Sequence, residues 1–189
     1  MENRIHDGRQ LEEVILVDES DRPVGVIEKM AAHRQALLHR AFSVFIFNSR
    51  GEMLLQQRAQ EKYHSAGLWT NACCSHPRPG EDTRQAAVRR LQEELGFTTK
   101  LEKLFEFTYR TAYDNGLTEF EFDHVFVGTH DRDISPDRAE VSDFRYQSLS
   151  AIEAELGCAP DRFTSWFQLA FPLLKEKISL LSDYSQRFS

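Results

Sequence analysis

The chain has 189 residues, 41% hydrophobic and 28% charged, with a formal net charge of -7. That length suits one domain with a sizeable core, and three cysteines without a Cys-x-x-Cys pair exclude a disulfide framework or a structural zinc site. The acidic balance argues against nonspecific nucleic-acid binding, and no apolar run approaches the roughly 18 residues of a membrane span.

Met1-Glu2-Asn3-Arg4 opens on polar residues in place of an apolar signal core, so a cytoplasmic, reducing location is expected. Glu13 to Asp18 reads as a strand, Ser20-Asp21-Arg22-Pro23 as a turn and Val24 to Ile27 as the returning strand. Met30 to Leu38 has helix-forming residues and carries His33, and Arg40 to Phe47 is a strongly apolar strand with His39 at its entrance. Asn48-Ser49-Arg50-Gly51 turns the chain into a strand over Met53 to Gln57, followed by a polar loop to Gly67 made basic by Arg58 and Lys62. Glu81 to Leu95 is an amphipathic helix: Ala87, Leu91 and Leu95 recur every four residues, Gly96 stops it, and Arg89, Arg90, Glu93 and Glu94 occupy the other side.

Leu104 to Ala112 and Leu117 to Val127 are long strands joined by Tyr113-Asp114-Asn115-Gly116, in which Asn-Gly signals a hairpin. Phe144 to Gln147 is a final strand and Ser150 to Leu156 a short helix. Arg162 to Leu181 is a longer helical region in which Pro172 predicts a break or kink. There is no internal repeat. One domain over residues 1–189 is expected, with a core of about 12–168 and a C-terminal helical tail of about 169–189.

The chemistry concentrates between Trp69 and Phe97 and on the strand after Leu117. Glu119 and Glu121, two residues apart on a strand, project the same way together with Asp123, and such a pair is tolerable on a buried face only if a metal or a proton offsets the repulsion. His33, His39 and His76 are candidate imidazole ligands, and imidazole plus carboxylate suits zinc, manganese or iron, whereas the all-oxygen Glu93/Glu94 pair suits magnesium. Taken singly, each has an ordinary explanation: a strand Glu is commonly a solvated charge, a cysteine a small buried hydrophobe, and Tyr109 and Trp166 core aromatics.

Glu81, Arg89, Leu91, Glu93, Glu94, Gly96 and Phe97 resemble the Nudix box, Gly-x5-Glu-x7-Arg-Glu-U-x-Glu-Glu-x-Gly-U with U apolar, while Ser75 and Arg90 depart from it. Arg90 replaces a glutamate that hydrolases of that family use for magnesium, which favours gripping a diphosphate over hydrolysing it. Arg90 together with Cys74-x-His76 disfavours a nucleoside diphosphate hydrolase, and the presence of both Cys74 and Glu121 disfavours a catalytically silent sensor or protein-binding domain. Arg90 together with Thr70-Asn71-x-x-Cys74-x-His76-Pro77, Leu38-His39-Arg40-Ala41-Phe42-Ser43 and Glu119-x-Glu121 resembles the type I isopentenyl diphosphate isomerases, over about Val14 to Trp166.

That resemblance implies a Nudix-type α/β/α sandwich with a mixed sheet, and an isomerase interconverting isopentenyl and dimethylallyl diphosphate through a tertiary carbocation. It implies catalytic roles for Cys74, Glu121, Tyr109 and Trp166, with Cys73 a bystander. It also implies a metal site of His33, His39, His76, Glu119 and Glu121 for Mn2+ or Zn2+, with His64 and His124 as alternatives to His33. Glu94 would bind Mg2+ beside the diphosphate, and Lys29, Arg58, Lys62 and Arg90 would contact the diphosphate itself. The expected partner is the small isoprenoid diphosphate alone, with no nucleic acid or membrane, and the protein a monomer or weak homodimer.

Overall fold

The computed structural model describes residues 5–6, 9–10, 12–62 and 64–187, with 5–6, 9–10 and 181–187 as backbone only. The polar stretch Met1–Arg4 lies outside the described residues. Among the described residues, strands β1 (Ile5–His6) and β2 (Arg9–Gln10) pair with each other alone. The expected hairpin follows as β3 (Glu13–Val17) and β4 (Pro23–Glu28), its turn held by Asp18 Oδ1, which accepts from the Ser20 and Arg22 amides.

Helix α1 (Lys29–Gln35) is capped by the Glu28 carboxylate, which accepts from the Met30 and Ala31 amides. It ends three residues before the expected Leu38. Ala36 turns left-handed at φ 52° and the Leu37 N–H closes back on the Ala32 carbonyl, so the chain leaves the helix and enters β5 (His39–Phe47) at its first histidine. Strands β6 (Met53–Arg58), β7 (Trp69–Thr70) and β8 (Cys73–Ser75) precede α2 (Thr83–Leu95). Asp82 caps α2, and Gly96 stops it at φ 77°, where a Cβ would lie 2.5 Å from the Ser135 carbonyl oxygen. Then come β9 (Glu102–Ala112), β10 (Thr118–Thr129), β11 (Val141–Gln147), α3 (Leu149–Cys158) and α4 (Ser165–Arg187).

The central sheet runs β11-β6-β5-β10-β9, with β5 and β10 parallel and their other neighbours antiparallel. It is a mixed sheet covered on both faces, the expected α/β/α sandwich. Because strand side chains alternate, Phe42, Val44 and Ile46 of β5 face α2 and pack on Ala86, Ala87, Leu91 and Leu95, whereas Phe45 faces α4 and packs among Phe163, Phe167, Ala170 and Phe171. Fully burying each such Leu or Phe contributes roughly 1.5–3 kcal/mol.

Two expectations change. Glu94 is buried at 4% exposure, although the helix pattern put it on the polar side. Helix α4 is unbroken across Pro172, where Phe171 and Leu174, both buried, hold the segment to the sheet. Buried residues of that helix continue past position 168 to Leu174. No helix among the described residues is long and apolar enough to cross a membrane.

Candidate functional site

The period-two rule that builds the core also builds the site. On β10, Glu119, Glu121 and Asp123 share a face and are all buried, at 5%, 7% and 1% exposure. Strand β5 lies parallel beside it with His39 opposite Glu121, and β8 lies on the other side of β5 with Cys74 opposite Ser43. Adjacent cysteines therefore go to opposite faces: Cys73 enters the core beneath α2, and Cys74 turns to the α4 face, where it borders a cavity of about 470 Å³.

Three imidazoles meet one carboxylate oxygen. The Nε2 atoms of His76, His39 and His33 lie 3.0, 3.5 and 3.9 Å from Glu121 Oε1, and the four residues can each offer a ligand atom within 4.8 Å of one another. His39 supplies the fit test for a metal. Its Nδ1 lies 2.8 Å from the Leu37 carbonyl oxygen, an acceptor only, so Nδ1 donates there and Nε2 is the nitrogen left to ligate. That Nε2 is buried and has no hydrogen-bond partner among the described residues, a setting that suits a metal-ligating nitrogen. Burial pulls His76 down to about 4, which favours its neutral, metal-ligating form. The residues fit a divalent ion.

Glu119 is held beside this group by different partners. Tyr113 donates to its Oε2 at 2.6 Å, and His64 Nε2 lies 3.3 Å from its Oε1. Burial, with the Glu121 charge next to it, pushes Glu119 up to about 8, while Glu121, despite burial, is held well below the usual carboxylate range by His33, His39 and His76. The two neighbouring carboxylates are thus driven apart in acidity, Glu119 upward and Glu121 downward. Tyr109 sits directly across the ladder from Glu121 and donates to its Oε2 at 2.7 Å. Burial and the same two glutamates push the Tyr109 phenol well above its ordinary range, so it remains a donor.

The expected basic residues gather at the same cavity. Lys29, Arg58, Lys62 and Arg90 all line it, with Glu94, Cys74, Tyr109, Glu119, Glu121 and Trp166. Each cation has a carboxylate or backbone partner: Lys29 the Glu12 side chain at 2.8 Å, Lys62 the Glu140 carboxylate, and Arg58 the His64 carbonyl. Arg90 donates to Glu93 Oε2 and Glu94 Oε1, both at 2.7 Å, and lies 3.5 Å from Glu140. Burial pulls the Arg90 guanidinium down, but Glu94 and the other groups around it raise it on balance, so it is a permanent cation. The Arg58 guanidinium also stands 5.1 Å from the Trp166 ring centre.

Of the alternative histidines, His64 reaches the site, stacked on Tyr113 and edge-on to His33 and Trp166. His124 instead points to the far side of the sheet, bridging to Asp21 at 3.0 Å. Tyr113 was legible only as a turn residue, and Glu12 and Glu140 carried no signal. Their roles come from what the fold sets opposite them.

A mixed sheet between helices, with an arginine- and glutamate-rich helix bordering a cationic cavity, defines a Nudix-domain protein, and the NUDIX domain family model matches residues 37–167. Solved structures agree in fold: DR0079 of Deinococcus radiodurans superposes with a TM-score of 0.66 at 21% identity, covering 78% of this chain and 90% of that one. The MutT protein of Methanosarcina mazei superposes with 0.62 at 20% identity, covering 74% and 94%. Sequence relatives are nearer. The isopentenyl-diphosphate Delta-isomerase of Pectobacterium atrosepticum is 53% identical over 180 residues, 94% of this chain and 96% of the relative. Isopentenyl-diphosphate Delta-isomerase 1 of Aromatoleum aromaticum is 50% identical over 157 residues, 83% and 89% of the two chains. The chain belongs to the isopentenyl-diphosphate Delta-isomerase family of Nudix-domain proteins.

Proposed function

We propose that this protein interconverts isopentenyl diphosphate and dimethylallyl diphosphate, a step of isoprene biosynthesis, in the cytoplasm. The observation that carries the reading is that a thiol, a carboxylate and an indole, from Cys74, Glu121 and Trp166, border one cavity whose wall also holds four cations. Moving a double bond by one position needs a proton added at one end of an allylic unit and another removed at the far end, hence two acid/base groups about one hydrocarbon. Cys74 and Glu121 are those groups. The alkene π pair takes a proton to form a C–H bond, leaving a tertiary carbocation, and loss of a proton from the neighbouring carbon restores the double bond.

Each remaining residue supports that exchange. Tyr109 orients Glu121 through its 2.7 Å hydrogen bond. The face of Trp166 stabilises positive carbon through its quadrupole, and the buried walls exclude the water that would capture the cation. Lys29, Arg58, Lys62 and Arg90 bind the diphosphate, whose remote binding energy holds the small alkene in register. His33, His39, His76, Glu119 and Glu121 would hold Mn2+ or Zn2+, and Glu94 would hold Mg2+ with the diphosphate. When bound, these ions supply positive charge that keeps neighbouring carboxylates, and the diphosphate, in their ionised forms. Residues 1–189 act as one unit, with no nucleic-acid or membrane partner, as a monomer or weak homodimer.

The test is incubation of the purified protein with isopentenyl diphosphate and Mg2+, with the product followed as an acid-labile allylic diphosphate. Absence of the allylic isomer from metal-replete protein overturns the proposal.

A further inference from the structure

A buried hydroxyl and carboxylate stand behind Cys74 without a role in the reaction as written above. Ser43 and Asp123, 2% and 1% exposed, lie on the parallel strands β5 and β10. Ser43 Oγ donates to Asp123 Oδ2 at 2.7 Å and lies 3.3 Å from Cys74 Sγ, its register partner on β8. A hydroxyl has one proton, so with that proton directed at Asp123, Ser43 turns only lone pairs to the sulfur. The other oxygen at the sulfur is Asn71 Oδ1, 3.0 Å away. It is fixed as an acceptor, because Asn71 Nδ2 donates to the Val44 and Cys73 carbonyls at 3.1 and 3.0 Å.

The resting thiol therefore faces two acceptors, which suits a group that carries a proton. A thiolate left after proton transfer would face the same two oxygens and receive no hydrogen bond from either. Asn71 cannot change sign without giving up both backbone contacts, whereas Ser43 can do so by rotating about its Cβ–Oγ bond.

We infer that Ser43 is a positioning residue for Cys74 which reverses its hydrogen bond during turnover, with Asp123 as the acceptor to which it returns. The inference rests on the proposed role of Cys74. When Sγ–H gives its proton to the alkene, the π pair forms the C–H bond, the S–H bond breaks and sulfur keeps the electron pair. The Ser43 hydroxyl then swings from Asp123 Oδ2 to Sγ, with no covalent bond of Ser43 changed. It swings back when the sulfur takes a proton from solvent water and Glu121 releases to water the proton it removed from the neighbouring carbon, which restores the thiol and the carboxylate.

The experiment compares full-length wild type, Cys74→Ala, Ser43→Ala, Ser43→Thr and Asp123→Asn by steady-state kinetics with isopentenyl diphosphate and Mg2+, alongside melting by circular dichroism. Loss of the one buried hydrogen bond made to the transient thiolate should lower kcat by about tenfold to about a hundredfold in Ser43→Ala, with KM unchanged, whereas Asp123→Asn, which still offers the hydroxyl an oxygen to return to, should retain most of kcat. Ser43→Thr, which keeps a hydroxyl, should retain most of kcat. A tie that merely joins two strands would lower the melting temperature of Ser43→Ala and raise KM along with any loss of kcat, and that result overturns the inference. So does wild-type kcat in Ser43→Ala. If Asp123→Asn does not fold, the two Ser43 variants decide alone. An active Cys74→Ala enzyme removes the underlying reading, whereas an inactive one beside a fully active Ser43→Ala removes this inference only.

Discussion

Cys73 and Cys74 are adjacent in the chain but belong to opposite faces of the sheet, the first sealed in the core under α2 and the second beside the cavity under α4. Burial pushes both thiols up, so neither is a standing thiolate and only the second can meet a substrate. Cys74→Ala is expected to abolish isomerisation with the fold retained, and Cys73→Ala to keep it. Turnover and melting curves of the two variants check this, and a dead Cys73 variant beside a working Cys74 variant would falsify the assignment.

The histidine cluster should bind a divalent ion. In His39→Ala the Nε2 lone pair beside Glu121 is gone, so the variant should lose bound metal and most of its activity together. Elemental analysis of carefully purified wild type and variant, paired with turnover, measures both. A fully active protein free of divalent metal at this site would sink the idea.

Arg90 stands one helical turn before Glu94 and touches it at 2.7 Å, on the cavity side of α2. Arg90→Glu restores the hydrolase-type box but removes a charge-assisted contact and sets like charges beside Glu93, Glu94 and Glu140. Isomerisation should fall by roughly two orders of magnitude or more. No efficient hydrolase should emerge. Assays of allylic diphosphate formation and of phosphate release from nucleoside diphosphate derivatives, on wild type and variant, decide the point. Strong nucleotide hydrolysis by the wild type without isomerisation is the contrary result.

Glu81 ties the loop before α2 to the helix through Arg89, with Nε–Oε1 at 2.7 Å and Nη2–Oε2 at 2.8 Å. Its carboxyl is lowered by the Arg89 hydrogen bonds, so the pair stabilises the fold above the unfolded carboxylate pKa, and that contribution fades as pH falls through the lowered folded value. The pair is partly solvated, which limits it to about 1 kcal/mol or less. Melting temperatures of wild type and Glu81→Gln should differ at pH 7 and converge in acid. A difference that grows on acidification contradicts the linkage.

How much of this was legible in the chain follows from which interactions are local. Alternation on β10 put Glu119, Glu121 and Asp123 on one face, and four-residue periodicity with a terminal glycine defined α2, because both patterns depend on backbone geometry within a few residues. The choice of Cys74, the diphosphate cations and the catalytic pair came from motif resemblance, as spacing alone does not say which loop meets which strand. Tertiary structure decided the rest. The parallel pairing of β5 with β10 brings His39 and Ser43, some eighty residues away in the chain, against Glu121 and Asp123. The same packing buries Glu94, which helix periodicity places on the polar side of α2, and the neighbouring Gln56 of β6 donates to it at 3.1 Å. It also carries α4 through Pro172, since the apolar contacts of Phe171 and Leu174 outweigh one missing backbone hydrogen bond. Charge, burial and protonation at the site are sums over residues distant in sequence, so they exist only once the chain has folded.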